Sequence, residues 1–178
     1  RMYHVSKEPN ITEFKSRHQM TEDSHDRDAV FLSPKPEFTN SFARGEGTTT
    51  YPVYAQIEKP FDFDNPEHLN KVKETYLDMY HNPDSDLYDH YMLPSERSMA
   101  IHTFNKRVDG LPSDESNWDS IENQDFQDVL KDLGFDSFYT REQGTKNLGV
   151  YDGSRIKSAI GNRGTYDINE SDMSKANG

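Results

Sequence analysis

Leu, Ile and Val together number 23 in this 178-residue chain, whereas Phe, Tyr and Trp number 21. So few aliphatic residues leave any core thin, and they force it to be built on aromatic rings. Adding Phe to the aliphatics gives only 33 residues, and the formal net charge is −12. That pairing lies at the edge of the disordered class. The rings decide against disorder, because each can bury about 150–250 Å². The length suits one domain of ordinary size with polar loops.

The same residues exclude several classes. No run of about 18 apolar residues exists, so no membrane span is expected. Cysteine is absent, which removes disulfides, zinc fingers and thiol chemistry and fits a cytosolic or viral origin. The surplus of 32 Asp and Glu over 20 Lys and Arg argues against tight nonspecific binding to nucleic acid, which requires neutralised phosphates. HExxH, a Walker lysine loop and GxGxxG are all missing. Asp84, Asp86, Asp89 and His90 lack the Gly and the closing Glu of a calcium loop, so they read as a solvated acidic loop and no metal site is expected.

Along the chain, residues 1–6 alternate like a short strand. Residues 16–28 are polar and read as a loop. Ala29–Ser33 is an apolar run of strand length stopped by Pro34 and Pro36. Glu37–Ala43 has helical rhythm, with Phe38 and Phe42 four apart. Thr49–Glu58 reads as a strand that carries Pro52 on an edge. Asn65-Pro66 opens a helix striped by Leu69, Val72, Tyr76 and Met79/Tyr80, which Asn82-Pro83 ends. Residues 82–94 form an acidic loop, Ser95–Val108 a weaker helix, and Gly110–Ser116 a turn. Ser116 and Asp119 have capping-box spacing ahead of a helix carrying Phe126, Val129, Leu130 and Leu133, with Gly134 as its stop. Those four and Trp118 are assigned to the core. Phe135–Thr140 and Leu148–Asp152 read as strands joined by residues 141–146. Residues 159–178 read as a mobile tail. Without βαβ alternation the class is α+β.

Three pieces stand out in chain order. The first is Tyr3-His4-Val5-Ser6, followed by Phe14. The second is Ala29-Val30-Phe31-Leu32-Ser33, with Phe42 eleven residues after Phe31. The third runs from Asn147-Leu148-Gly149-Val150-Tyr151-Asp152 through Ile156-Lys157-Ser158-Ala159-Ile160-Gly161-Asn162-Arg163-Gly164-Thr165-Tyr166-Asp167. Together they resemble the ADP-ribosyltransferase fold of the diphtheria-toxin and poly(ADP-ribose) polymerase class. The closing stretch is similar to the ending of ADP-ribosyltransferase-like domains in phage and mobile-element polyvalent proteins. The resemblance covers residues 1–14, 29–63 and 126–167, and implies a split β-sandwich with surrounding helices. It places that domain at 1–168, with 64–115 as a helical insertion and 169–178 as a flexible tail.

The resemblance implies NAD+ as substrate and cleavage of the nicotinamide–ribose bond, with positive charge developing on the ribose as in glycoside hydrolysis. His4 would grip a ribose hydroxyl; the plainer reading is a strand histidine satisfied by backbone groups. Val5 stands where the family has Gly, so its side chain must point away while its backbone meets the nicotinamide amide. Ser6 would support the ribose, and Ser33 would be among the residues that bind NAD+. Phe31 and Phe42 would stack on the nicotinamide ring; the plainer reading puts both in the core. Asn147 stands where the family has its catalytic Glu. An amide can accept from a hydroxyl but supplies no negative charge. Asn147 therefore implies a slow enzyme, a binding-only domain, or an acid moved elsewhere, for which Glu142 is the best placed. The turn Arg141-Glu142-Gln143-Gly144 would choose the acceptor, or is a plain polar hairpin loop.

Three functions follow. The first is a mono-ADP-ribosyltransferase of phage or mobile-element origin that modifies an unidentified host macromolecule, in the virion or the host cytoplasm. The second is the same fold kept as a weak or inactive binding or virion-structural module. The third is an acidic mimic of nucleic acid that inhibits a host DNA-binding protein. The acids lie along the chain without regular spacing, which ranks the third last.

Overall fold

The computed structural model describes residues 1–6, 10–15, 29–37 and 47–160. The expected loop at 16–28, Phe38 and Phe42 with their helix, and nearly all of the expected tail lie outside the described residues. Strands β1 (Met2–Ser6), β2 (Val30–Leu32), β3 (Thr49–Ala55) and β4 (Pro60–Phe61) come first. Helices α1 (Pro66–His81), α2 (Pro94–Gly110), α3 (Trp118–Ile121) and α4 (Gln124–Asp132) follow, and β5 (Ser137–Glu142), β6 (Thr145–Val150) and β7 (Ile156–Ser158) close the chain. The class is α+β, as the sequence implies. One sheet has the order β1-β3-β7 and the other β2-β6-β5-β4. The chain divides into two units, one made of residues 1–60, 136–139 and 145–178, the other of 61–135 and 140–144.

The first unit is the β unit. Val30, Leu32, Leu148 and Val150 pack with Phe14, Val53 and Ile156 into its core. Alternation along β2 and β6 therefore sends Phe31 and Asn147 to the opposite face. β1 sits beside β3 with His4 opposite Tyr51. On its other side Tyr3 forms a bridge with Ser33, N to O in both directions at 2.8 and 2.9 Å.

Pro52 is not on an edge. β3 is the central strand, and Pro52 lies opposite Tyr3. Tyr3 turns both backbone groups toward Ser33, so Pro52 turns its own toward β7. There β7 has already ended at Ser158, and only Ala159 N reaches the Pro52 carbonyl, at 2.9 Å. The proline occupies the one stretch of a central strand where no carbonyl waits for its missing N–H.

The second unit is helical. Asn65 caps α1 by accepting from Glu67 N, and Leu69, Val72, Tyr76 and Tyr80 form its buried stripe. α2 starts at Pro94, one residue earlier than the sequence suggests. Glu96 reaches back to accept from Leu93 N at 2.8 Å, which satisfies a donor that Leu93 cannot cap itself. Rings hold this unit together. Tyr76 stacks on Phe104 with centroids 3.6 Å apart, Phe104 meets Phe126 at 5.7 Å, and Phe126 meets Phe61 edge-on at 5.5 Å.

The capping box at Ser116 does not form. Ser116 Oγ instead accepts from Gln143 N at 3.2 Å. The main helix α4 starts later, capped by Asn123, which accepts from Asp125 N. Trp118 is also not a core residue, since it is 38% exposed. α3 is a single turn in which Asn117 faces inward, donating to Leu111 O at 3.0 Å and accepting from Arg141 N at 2.7 Å. With Asn117 and Ile121 buried, Trp118 is rotated outward. Phe126, Val129 and Leu130 are buried as expected, and Leu133 is half-buried where α4 ends.

β5 and β6 are displaced toward each other relative to the expected strands and take in residues 141–142 and 145–146 of the expected connection. Only Gln143 (φ 47°) and Gly144 (φ 76°) form the turn. Two consecutive positive φ values are the geometry of a tight hairpin. Asn147 thus lies inside a strand and not in a loop.

Candidate functional site

The β unit brings His4 and Phe31 into direct contact. His4 Nδ1 lies 2.9 Å from the Phe31 carbonyl oxygen. A carbonyl only accepts, so Nδ1 carries the proton and, in the neutral ring, Nε2 is left as an acceptor. Burial pushes the His4 pKa below its ordinary value of 6.5, and the bond to Phe31 pulls it only partly back. The ring is therefore neutral at pH 7. Its edge is fixed further by Phe14, whose ring meets it at 81° with centroids 5.0 Å apart. Beyond the Tyr3–Ser33 bridge β1 and β2 separate, and the imidazole of His4 bonds the strand where the backbone no longer does.

Val5 lies one residue on in β1 and so on the opposite face from His4. Ser6 pairs with Thr49 at the end of β1. Ser33 is 2% exposed. Its backbone is committed to Tyr3, and its Oγ accepts from Lys35 N at 3.2 Å. Ser33 thus shapes the chain where it leaves β2.

Phe31 pairs with Gly149 across β2 and β6. Asn147 is two residues from Gly149 and shares its face. The side chain of Asn147 is 3% exposed, and its Oδ1 has no hydrogen-bond partner. An orphaned buried acceptor costs about 1–3 kcal/mol, a cost that a bound donor, whether water or ligand, relieves. Two residues that sequence reasoning missed complete this face. The Phe138 ring occupies the space above Gly149, where a Cβ would collide with it, and Phe138 meets Phe31 edge-on at 5.9 Å. A glycine inside a strand pattern signals such a close approach, and Leu-Gly-Val at 148–150 carried that signal.

Glu142 ends β5 and belongs to the helical unit. Its hairpin is tied down there by Gly144 N donating to Glu115 O at 3.1 Å. Arg141 is committed in the same way. Its Nη1 donates to Pro112 O and Asp114 O at 3.0 and 3.2 Å, and its guanidinium lies 4.8 Å from the centre of the Phe63 ring. Arg141 therefore locks the turn and is not held out toward an acceptor. Among the described residues no group of three His, Asp or Glu could hold a metal ion, and no helix is long and apolar enough to cross a membrane.

His4 offers a neutral imidazole acceptor, Phe31 an aromatic ring backed by Phe138, and Asn147 a buried amide acceptor. These groups can receive hydroxyl donors and stack on a flat ring; they supply no negative charge. No curated protein matches the sequence. Among solved structures the chain is similar to one described as the crystal structure of an anti-CRISPR protein, with 16% identity, a TM-score of 0.46, and coverage of 87% of this chain and 91% of that one. The family model for ADP-ribosyltransferase in polyvalent proteins matches residues 1–166. With nearly its whole length matched, this chain belongs to the ADP-ribosyltransferase domains of polyvalent proteins.

Proposed function

We propose that the β unit binds NAD+, the substrate of its family, and transfers ADP-ribose to a host macromolecule on behalf of a phage or mobile element, within the virion or the host cytoplasm. The orphaned Oδ1 of Asn147, on the face shared by Phe31, carries this reading. A ribose hydroxyl is a donor that would satisfy it. Phe31, propped by Phe138, offers a π face to nicotinamide, and His4 Nε2 offers a second acceptor.

The reaction breaks the bond between C1′ of the ribose and the nicotinamide nitrogen. The electron pair leaves with nicotinamide, cationic character grows at C1′, and the acceptor's nucleophilic atom bonds there and loses its proton. Asn147 can orient the ribose through its dipole. A carboxylate would also stabilise the cation, and such electrostatic stabilisers are worth on the order of 10²–10³ in rate. Turnover by this chain is accordingly slow.

A second reading, the same site binding NAD+ without turnover, is favoured by one observation, the amide at position 147. Incubation with NAD+ labelled in the adenine and in the nicotinamide separates the two. Release of labelled nicotinamide with transfer of adenine label to protein or nucleic acid supports the first. Asn147→Glu should raise that release on the order of 10². Binding with no release, even in Asn147→Glu, leaves only the second.

A further inference from the structure

The charge of the chain is gathered in one unit. Residues 61–135 and 140–144 hold 18 of the 32 Asp and Glu but 7 of the 20 Lys and Arg, a formal −11 of the total −12. The β unit is close to neutral. Nearly all of it lies in one continuous stretch, since residues 61–135 alone hold 17 Asp and Glu against 6 Lys and Arg.

The helical unit also carries a groove of about 680 Å³. Its floor is aromatic, formed by Tyr76, Tyr80 and Phe104, and Met99 stands on its rim. Tyr76 and Tyr80 lie 4.6 Å apart, and Tyr76 is stacked flat on Phe104. Glu96 of α2 and Asp125 of α4 bring carboxylates to it, against a single base, Arg107. The Asp125 carboxyl is raised from its ordinary pKa, first by burial and then by neighbouring Asp128, with Arg107 only partly offsetting them. Close by in the chain, Tyr91 (95% exposed), Leu93 (60%) and Met99 (64%) leave apolar surface in water.

We propose that this groove docks a basic, amphipathic segment of a protein partner, with a Lys or Arg side chain laid over the aromatic floor between Glu96 and Asp125 and an apolar residue against Met99. A cation over tyrosine faces is attracted by the ring quadrupole. A second charge beside Asp125 removes the imbalance that Asp128 creates. A unit with −11 accelerates encounter with a positive surface and repels nucleic acid. This inference rests on the transferase reading in taking the docked protein to be the acceptor, which would make the acceptor a basic protein. The docking itself does not depend on catalysis.

The test uses the full chain and a fluorescent 18-residue peptide of alternating Lys and Leu blocks with helical amphipathicity. Its partner probe has Glu in place of every Lys. Anisotropy is read at low and moderate salt, and nicotinamide release from NAD+ is read in parallel. The Lys peptide should bind, the Glu peptide should not, and Glu96→Gln with Asp125→Asn should weaken binding about tenfold. Gln at position 96 keeps the acceptor for Leu93 N, so the helix start survives. Removing two charges from the β unit, by Glu13→Gln with Glu58→Gln, should change affinity by less than about twofold. Equal losses in both double variants, or binding of duplex DNA in place of the Lys peptide, would overturn the proposal. Nicotinamide release unaffected by Glu96→Gln with Asp125→Asn distinguishes a lost dock from a lost NAD+ site.

Discussion

His4 Nδ1 donates to the carbonyl oxygen of Phe31 across 2.9 Å, and this bond joins two pieces of chain 27 residues apart. It fixes the tautomer of the imidazole, so the free nitrogen is the acceptor. It also sets the backbone of Phe31, whose ring lies on the same face of its sheet as Asn147.

The buried imidazole makes stability depend on pH. Burial lowers the folded pKa of His4 below 6.5, so the unfolded chain takes up this proton at a higher pH than the folded one does. The favourable contribution is complete above about pH 6.5 and is lost as pH falls through 6.5 toward the folded value. The melting temperature of the wild type should therefore drop more steeply between pH 7 and pH 5 than that of His4→Gln. NAD+ affinity should fall only as pH drops through that lower folded value, where Nε2 takes up a proton and no longer accepts.

Asn147→Leu removes the orphaned acceptor while keeping the shape of the side chain. An unsatisfied buried group replaced by an isosteric apolar one is neutral or stabilising. The melting temperature should hold or rise by a few degrees, while the stabilisation conferred by millimolar NAD+ shrinks or vanishes. A structural asparagine would show the reverse, with loss of stability and no change in the response to NAD+. Thermal denaturation with and without NAD+ reads both.

Gly149→Ala forces a methyl group into the Phe138 ring. Overpacking of this kind costs about 1–3 kcal/mol, and relief by moving Phe138 would disturb the Phe31 ring it props. Denaturant unfolding should show the loss. Gly149→Ala with Phe138→Leu should regain part of the stability without regaining NAD+ affinity.

Much of this arrangement was legible from residue order, and the reasons it was are specific. Alternation in Met2–Ser6 and the apolar run at Ala29–Ser33 give two strands directly, whereas His4 and Phe31 stand out only through the resemblance to the ADP-ribosyltransferase fold. The stripe Leu69, Val72, Tyr76 and Tyr80 with an Asn-Pro start is equally local. What was not legible depends on distant partners. Trp118 reads as core by size, and only the inward hydrogen bonds of Asn117 to Leu111 and Arg141 turn it out. The connection between the two strands reads as six residues, 141–146, because Gln rarely adopts positive φ, whereas the hairpin closes on Gln143-Gly144 alone. Phe138 gains its role only by lying over Gly149.

Asp136 gives a prediction away from the site. Its carboxylate accepts from Glu58 N at 2.7 Å, Lys59 N at 3.1 Å and Ser137 Oγ at 2.8 Å, and Arg155 lies 3.6 Å away. Burial alone would raise its pKa, but these donors outweigh burial and lower it below 3.8. Its stabilising effect is present above the unfolded value and is lost as pH falls through the folded one. Asp136→Asn should cost about 1–3 kcal/mol at neutral pH, with the gap from wild type narrowing in acid, as read by urea unfolding at pH 7 and pH 3.

The central claim is that nicotinamide rests on the Phe31 ring beside Asn147. Nuclear Overhauser contacts between the nicotinamide protons of NAD+ and selectively labelled Phe and Asn side chains measure it directly. The account predicts contacts to the Phe31 ring and to the Asn147 side-chain amide, both lost in Phe31→Leu. Contacts confined to the helical unit, or no contacts at millimolar NAD+, would contradict it.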